Sequence, residues 1–242
     1  MINTILFDLD GTLLQFSQNE FIHAYFGELA KVFGKMGMDV KKSSEAVWAG
    51  TVSMALNDGS TLNKNRFWSC FSQTLSLSDD ECSVVEAACD NFYVNEFNNV
   101  KSVLRPNDIS KRLIKSMTEK GYVVALATNP LFPLCGVETR LSWAGLSASD
   151  FALVTHYGNS SYCKPNPKYF EEVITKLGRS PSECLMVGNN PVEDMVAHTL
   201  GIEAFLVTDC MENEAEADIT SFPKGSLAEL EDYLTGFPRV VG

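Results

Sequence analysis

From residue 109 onward the chain alternates short apolar runs with amphipathic stretches, and this alternation constrains the fold more than any other feature. Residues 109–119 are amphipathic and stop at Gly121, and residues 122–127 are an apolar run. The pattern predicts a helix near 136–144, a short strand over 151–155 and a helix over 169–177 ended by Gly178. A strand over 184–187 closed by Gly188, a helix over 192–200 ended by Gly201, a strand over 203–207 and a last helix over 226–234 complete the series. Short runs that are apolar throughout suit strands buried on both faces. Strand and helix in succession therefore predict an α/β fold, a parallel sheet covered by helices on both sides.

One strand stands apart from this series. Residues 3–9 form an apolar run that ends in acid and then Gly11. After it the texture changes. Phe21, Tyr25, Leu29, Val32 and Phe33 recur at helical spacing, and residues 45–56, 65–75 and 79–97 look similar. Asn57-Asp58-Gly59-Ser60 breaks the pattern, and Ser78-Asp79-Asp80-Glu81 has the composition of a helix start. The reading is an α/β core interrupted after its first strand by a helical insert of roughly 85 residues.

Composition narrows the partners. A net charge of −12 repels phosphate backbones, and no Lys/Arg run offers a local exception, so no nucleic-acid partner is expected. An anionic small substrate would need positive charge within its own site. No apolar stretch approaches the ~20 residues of a membrane helix, so no membrane partner is expected. Asp8 and Asp10 interrupt the first apolar run, which is unlike a signal peptide. The seven cysteines are odd in number, widely spaced and without a CxxC, which suits reduced thiols in a cytoplasmic protein. Oligomeric state is not legible.

Four strand ends carry the polar residues with chemistry: Asp8-Leu9-Asp10-Gly11-Thr12, Thr128-Asn129, Lys164-Pro165-Asn166-Pro167, and Gly188 through Asp194. A parallel sheet brings such ends to one edge, where open α/β sheets bind ligands. Two carboxylates at i and i+2 can hold a hard cation and divide labour, one attacking phosphorus and the other serving as general acid, then base. Mg²⁺ takes oxygen ligands, usually one or two protein carboxylates with phosphate and water. It would relieve repulsion between an anionic nucleophile and an anionic substrate. Gly11 permits close backbone approach, and the Thr128 hydroxyl and Lys164 ammonium can hold phosphoryl oxygens.

These four motifs, in this order, resemble those of the haloacid dehalogenase-like superfamily: Asp-Leu-Asp-Gly-Thr at 8–12, Ala127-Thr128-Asn129, Lys164-Pro165, and Gly188 to Asp194. The resemblance covers essentially the whole chain. It implies a Rossmann-like, doubly wound core over residues 1–15 and 103–242, with residues 16–102 as an inserted helical cap. It implies Asp8 as nucleophile, Asp10 as acid/base and as metal ligand through its carbonyl, and Thr128 and Lys164 on the phosphate. Gly11, Thr12 and Asn129 join them as substrate-binding residues. Asp8, Asp10, Asn189 and Asp194 form the Mg²⁺ set. The implied activity is Mg²⁺-dependent hydrolysis of a small-molecule phosphate monoester through an aspartyl-phosphate.

Two details refine the match. True dehalogenases of this family generally lack the second acid of the first motif, so Asp10 favours phosphoryl transfer. Members usually carry an acid directly after the fourth-motif glycine, where this chain has Asn189. The amide still offers an oxygen but removes a negative charge, so metal affinity should fall. Phosphomutase or phosphonate chemistry, or a weakly active or non-catalytic binder of a phospho-ligand or partner protein, are the competing readings. Outside the motifs, Trp48, Phe67 and Trp68 read as helical core, Lys64 and Arg66 as a solvated helix face, and residues 212–216 as a solvated acidic loop. His23, His156 and His198 read as structural or exposed, and Phe16 and Phe132 as candidates for the site entrance.

Overall fold

The structure is a computed structural model and describes residues 1–240. The expected core segment runs to 242, so its last two residues lie outside the described ones. Among the described residues six strands form one sheet: β1 (Thr4–Phe7), β2 (Val123–Leu126), β3 (Leu153–Val154), β4 (Cys184–Gly188), β5 (Glu203–Val207) and β6 (Lys224–Gly225). Their order is β3-β2-β1-β4-β5-β6 and every pairing is parallel. β1 is central, with Phe7 in register with Leu126 on one side and Val187 on the other.

Alternate residues of each strand serve opposite layers, as the pleat requires. Ile5 and Phe7 of β1 pack with Leu113, Ile114 and Met117 of α5 (Ile109–Glu119) and with Leu227 and Leu230 of α8 (Leu227–Thr235). Leu6 points the other way, into Tyr169, Phe170 and Val173 of α7 (Pro167–Leu177). With both faces covered, the strands must be apolar throughout, which is why they read as uninterrupted runs. α7 begins at Asn166, whose side chain accepts the Lys168 N–H, has Pro167 in its first turn, and ends at Gly178 in the left-handed region.

Between β1 and α5 lie, among the described residues, four α-helices: α1 (Gln18–Lys35), α2 (Val40–Ala55), α3 (Asn63–Leu75) and α4 (Asp79–Val94). α4 starts with a reciprocal capping box between Ser78 and Glu81. A 3₁₀ segment, Glu96–Val103, leads back to α5. α6 (Leu134–Trp143) follows β2 and packs against α4. Among the described residues, no helix is long and apolar enough to cross a membrane.

Two local expectations change. The helix expected over 192–200 is a turn followed by a 3₁₀ segment, Met195–Leu200. Asn190 explains it: its side-chain oxygen accepts the N–H groups of both Val192 and Glu193, holding the chain in a turn. β6 was not expected from the sequence, because two residues leave no apolar run to read.

Candidate active site

The sheet order reverses at β1, with β2 on one side and β4 on the other, and the carboxyl ends of these three strands converge. Asp8 continues β1: its N–H donates to the Val187 carbonyl at 2.9 Å, while the Phe7 carbonyl accepts from the Ala127 N–H at 2.7 Å. Residues 9–14 then turn tightly, Gly11 at φ +76° donating its N–H to the Leu14 carbonyl and the Leu14 N–H donating to Leu9. A Cβ on Gly11 would lie 2.1 Å from the Asn189 amide nitrogen, so only glycine lets the two loops meet.

Lys164 is the centre of the buried polar cluster. Its ammonium donates to Asp8 Oδ1 at 2.8 Å and to Asp194 Oδ1 at 2.6 Å, and it is 2 % exposed. Burial opposes its charge, but Asp194 and Asp8 outweigh that and hold the ammonium above its usual range. Burial pushes the Asp8 carboxyl up to about 8, more than Lys164 pulls it down, and the Asp194 and Asp10 carboxylates add to the rise. Asp194 is fixed from its other oxygen by the Asn190 N–H at 2.9 Å. A Cβ on Gly188 would fall 2.2 Å from the Asp194 carboxyl, so that position requires glycine for the close approach.

Thr12, Thr128 and Asn129 complete the surroundings. The Thr12 hydroxyl donates towards Asn189 Oδ1 at 3.1 Å, with Asp8 Oδ2 at 3.4 Å. The Thr128 carbonyl is pinned by the hydroxyls of Thr155 and Tyr169, at 2.7 and 2.9 Å, and Thr128 itself borders the cavity. Asn129 accepts the Lys164 backbone N–H and donates to Glu193 Oε2 at 3.1 Å.

A cavity of about 270 Å³ opens above this edge, between the strand ends and helices α1–α4. Asp8, Asp10, Thr128, Asn129, Asn189 and Asp194 line it. Gly11, Thr12 and Lys164 do not. Gly11 is spent on its turn, Thr12 faces Asn189 and Asp8 from below, and Lys164 lies behind the two carboxylates it bridges. Gly11 and Thr12, expected among the substrate-binding residues, stand here against Asn189 and, for Thr12, Asp8.

Several wall residues differ from the sequence expectation. Trp48, Phe67 and Trp68, expected as core, line the cavity, and Trp48 is 57 % exposed. Helical periodicity marks an apolar stripe but not whether it faces a neighbour or a void. Phe132 lines the wall, whereas Phe16 is buried in the core and stacks on Phe21. Lys64 is paired with Glu86 at 2.6 Å. Glu212, expected in a solvated loop, borders the site and accepts from the Asn190 side chain at 3.4 Å; burial raises it and Glu193.

Arg140 was missed altogether. It sits on α6 with no exposed surface, ion-paired through Nη1 to Asp10 Oδ2, its guanidinium 4.1 Å above the Phe132 ring. Among the described residues, Asp10 Oδ1 and Arg140 Nη2 are buried with no hydrogen-bond partner. In the sequence Arg140 is a basic residue in the last turn of an amphipathic helix, a position that ordinarily faces solvent.

The donors suit Mg²⁺ in kind. Among the described residues no three His, Cys, Asp or Glu side chains converge as a cage. The available set is two carboxylates, Asp8 and Asp194, with the Asn189 amide oxygen and the Asp10 carbonyl, all oxygen, and Mg²⁺ takes few protein carboxylates. Asn189 is oriented for this: its nitrogen donates to the Cys210 carbonyl at 2.7 Å, leaving the oxygen on the Asp8 side.

The profile of the haloacid dehalogenase-like hydrolases matches residues 2–198. The chain is 28% identical over 241 residues to a phosphoglycolate phosphatase of Vibrio vulnificus, covering 96% of each chain. It is 24% identical over 210 residues to the pyrophosphatase PpaX of Halalkalibacterium halodurans, covering 85% of this chain and 83% of that one. In fold it is similar to a phosphatase of Thermococcus onnurineus (TM-score 0.60, 20% identity, 99% and 100% of the two chains). It is likewise similar to a 2-haloacid dehalogenase of Pseudomonas syringae (TM-score 0.63, 17% identity, 97% and 99%).

Proposed function

Because the chain belongs to the haloacid dehalogenase-like hydrolases, we propose that it is a Mg²⁺-dependent phosphatase that hydrolyses a small-molecule phosphate monoester through an aspartyl-phosphate on Asp8. The observation that carries this reading is the buried Asp8–Lys164–Asp194 cluster at the sheet's switch point, open on one side to the cavity. The phosphatase names of the relatives over most of the chain's length support the same chemistry.

The steps follow from the residues. The Asp8 carboxylate attacks phosphorus as the ester oxygen leaves and takes a proton from Asp10, which lines the cavity beside it. Asp10 then accepts a proton from the water that cleaves the acyl phosphate, releasing inorganic phosphate and restoring Asp8. Thr128 borders the cavity and offers a hydroxyl to the phosphoryl oxygens. Lys164 fixes Asp8 and Asp194 and partly neutralises both. Asp8, Asp194, Asn189 and the Asp10 carbonyl would hold Mg²⁺, which when bound would supply the charge that lets a dianionic ester approach an anionic nucleophile. Residues 16–102 act as the cap over a core of residues 1–15 and 103–242; their helices exclude water and select the leaving group.

Arg140 bears on Asp10. The ion pair occupies Asp10 Oδ2, so for that oxygen to reach a leaving group the pair has to loosen in the working complex. Asn189 bears on the metal. With an amide in place of a carboxylate, millimolar Mg²⁺ is the expected requirement.

A panel of phosphate esters assayed with and without Mg²⁺ tests the reading. Wild type releases inorganic phosphate only with the metal, Asp8→Asn does not, and Asn189→Asp reaches half-maximal rate at roughly tenfold lower Mg²⁺. Equal phosphate release by wild type and Asp8→Asn overturns it. No effect of Mg²⁺ on thermal stability or activity in either wild type or Asn189→Asp favours the binder of a phospho-ligand or partner protein.

A further inference from the structure

The relatives include enzymes named for phosphoglycolate and pyrophosphate, both of which carry a second negative charge beyond the phosphoryl group that is cleaved. The cavity of this chain is built differently. Its wall carries six acidic side chains, Asp8, Asp10, Asp90, Glu193, Asp194 and Glu212, and, among the described residues, no Lys, Arg or His. The two nearest cations are committed: Lys164 to Asp8 and Asp194, and Arg140 to Asp10. On α3, Lys64 is held by Glu86 at 2.6 Å, and Arg66, although next to Phe67 in sequence, does not line the cavity. A second anion on the substrate would enter an acidic cavity whose wall, among the described residues, offers it no Lys, Arg or His, and a desolvated charge without a charged partner is disfavoured.

The rest of the wall is aromatic. Trp48, Phe67, Trp68, Tyr93, Phe132 and Tyr157 face the space from α2, α3, α4 and the loops after β2 and β3. Their polar tips are turned to one another. The Tyr25 and Tyr93 hydroxyls share a hydrogen bond at 2.8 Å, and the Trp68 indole N–H donates to Tyr157 at 3.5 Å. What remains for a leaving group is chiefly ring face and edge. At about 270 Å³ the cavity lies just below the ~300–1,000 Å³ range of small-ligand sites.

Resting on the phosphatase reading above, we infer that the substrate is a phosphate monoester of an uncharged, apolar alcohol about the size of one aromatic ring. The phosphoryl group meets Asp8 at the sheet edge, and the alcohol lies among Trp48, Phe67, Trp68 and Phe132. No second anion takes part in recognition.

The test compares benzyl phosphate, phosphoglycolate and pyrophosphate with the intact chain and Mg²⁺, and follows tryptophan fluorescence on adding benzyl alcohol or glycolate without metal. The expected kcat/KM for benzyl phosphate exceeds that for either doubly anionic substrate at least ~10-fold, the scale of discrimination an apolar pocket achieves. Benzyl alcohol quenches the tryptophans with saturation, and glycolate does not. Trp48→Arg places a cation in the half-exposed wall and reduces the preference several-fold; Thr51→Lys serves if that variant does not fold. Phosphoglycolate or pyrophosphate turned over as well as benzyl phosphate overturns the inference and leaves the phosphatase standing. No hydrolysis of any ester by folded wild type removes both.

Discussion

At the scale of single residues, the account turns on charges that share one buried space. Arg140 and Asp10 form a pair in which Arg140 has no solvent access and the Asp10 side chain keeps 23%. Arg140→Met should therefore cost about 3 kcal/mol, the lower end for breaking a buried pair, because water can still reach the orphaned acid. Adding Asp10→Asn should return part of that loss, which a double-mutant cycle by chemical denaturation measures. Asp8 gives a pH signature. Its carboxyl sits near 8 in the fold and near 4 in the unfolded chain. Below pH 4 it is protonated in both states. Between about 4 and 8 the unfolded chain sheds a proton that the folded chain keeps, so the contribution of Asp8 to stability falls as pH rises. The metal-free protein should lose stability across that window, and Asp8→Asn should flatten the slope in denaturation series at pH 5, 6, 7 and 8. The Asp8, Asp10, Lys164 and Asp194 cluster was legible as motifs because each residue type has a chemical reason to stand at a strand end. Arg140 was not, since its burial is decided by where α6 packs and not by its neighbours in sequence.

At the scale of elements, strand positions were legible and their company was not. β5 matches the expected 203–207, because a strand buried on both sides has to be written as an apolar run. The 192–200 segment misled, since its apolar spacing suits a helix while Asn190 diverts the first N–H groups into a turn. That turn aims Asp194 at Lys164 across the space Gly188 leaves open. Gly188→Ala should push Asp194 aside, cost about 1–3 kcal/mol through overpacking and weaken Mg²⁺ binding. Calorimetric titration of the metal against wild type and variant measures the second effect.

At the scale of the whole molecule, the helices of 16–102 and the sheet share one hydrophobic cluster, running from Phe21, Tyr25, Phe92 and Phe97 to Phe7, Leu126 and Val187. Polar anchors join the two layers elsewhere. Asn63, fully buried at the start of α3, donates to the Pro130 and Tyr162 carbonyls and accepts from Asn57. Asn63→Ala leaves those partners unsatisfied and should cost about 2 kcal/mol. It should also raise KM more than it lowers kcat, because Phe67 and Trp68 follow on the same helix and line the cavity. Steady-state kinetics on an aryl phosphate reads that split. The sequence texture marked the helical block and its place after β1, but not which aromatic side chains face the void, since that depends on how four helices meet the strand ends.

Covalent phosphoryl transfer to Asp8 is read by acid-quenched peptide mass mapping with para-nitrophenyl phosphate. The leaving group needs no proton, so Asp10→Asn should form the acyl phosphate and stall before hydrolysis. The expected result is one phosphoryl group on the peptide containing Asp8, dependent on Mg²⁺ and absent in Asp8→Asn. Nitrophenol release by wild type with no phosphate on Asp8 in the stalled variant, or phosphate on another residue, would contradict the account.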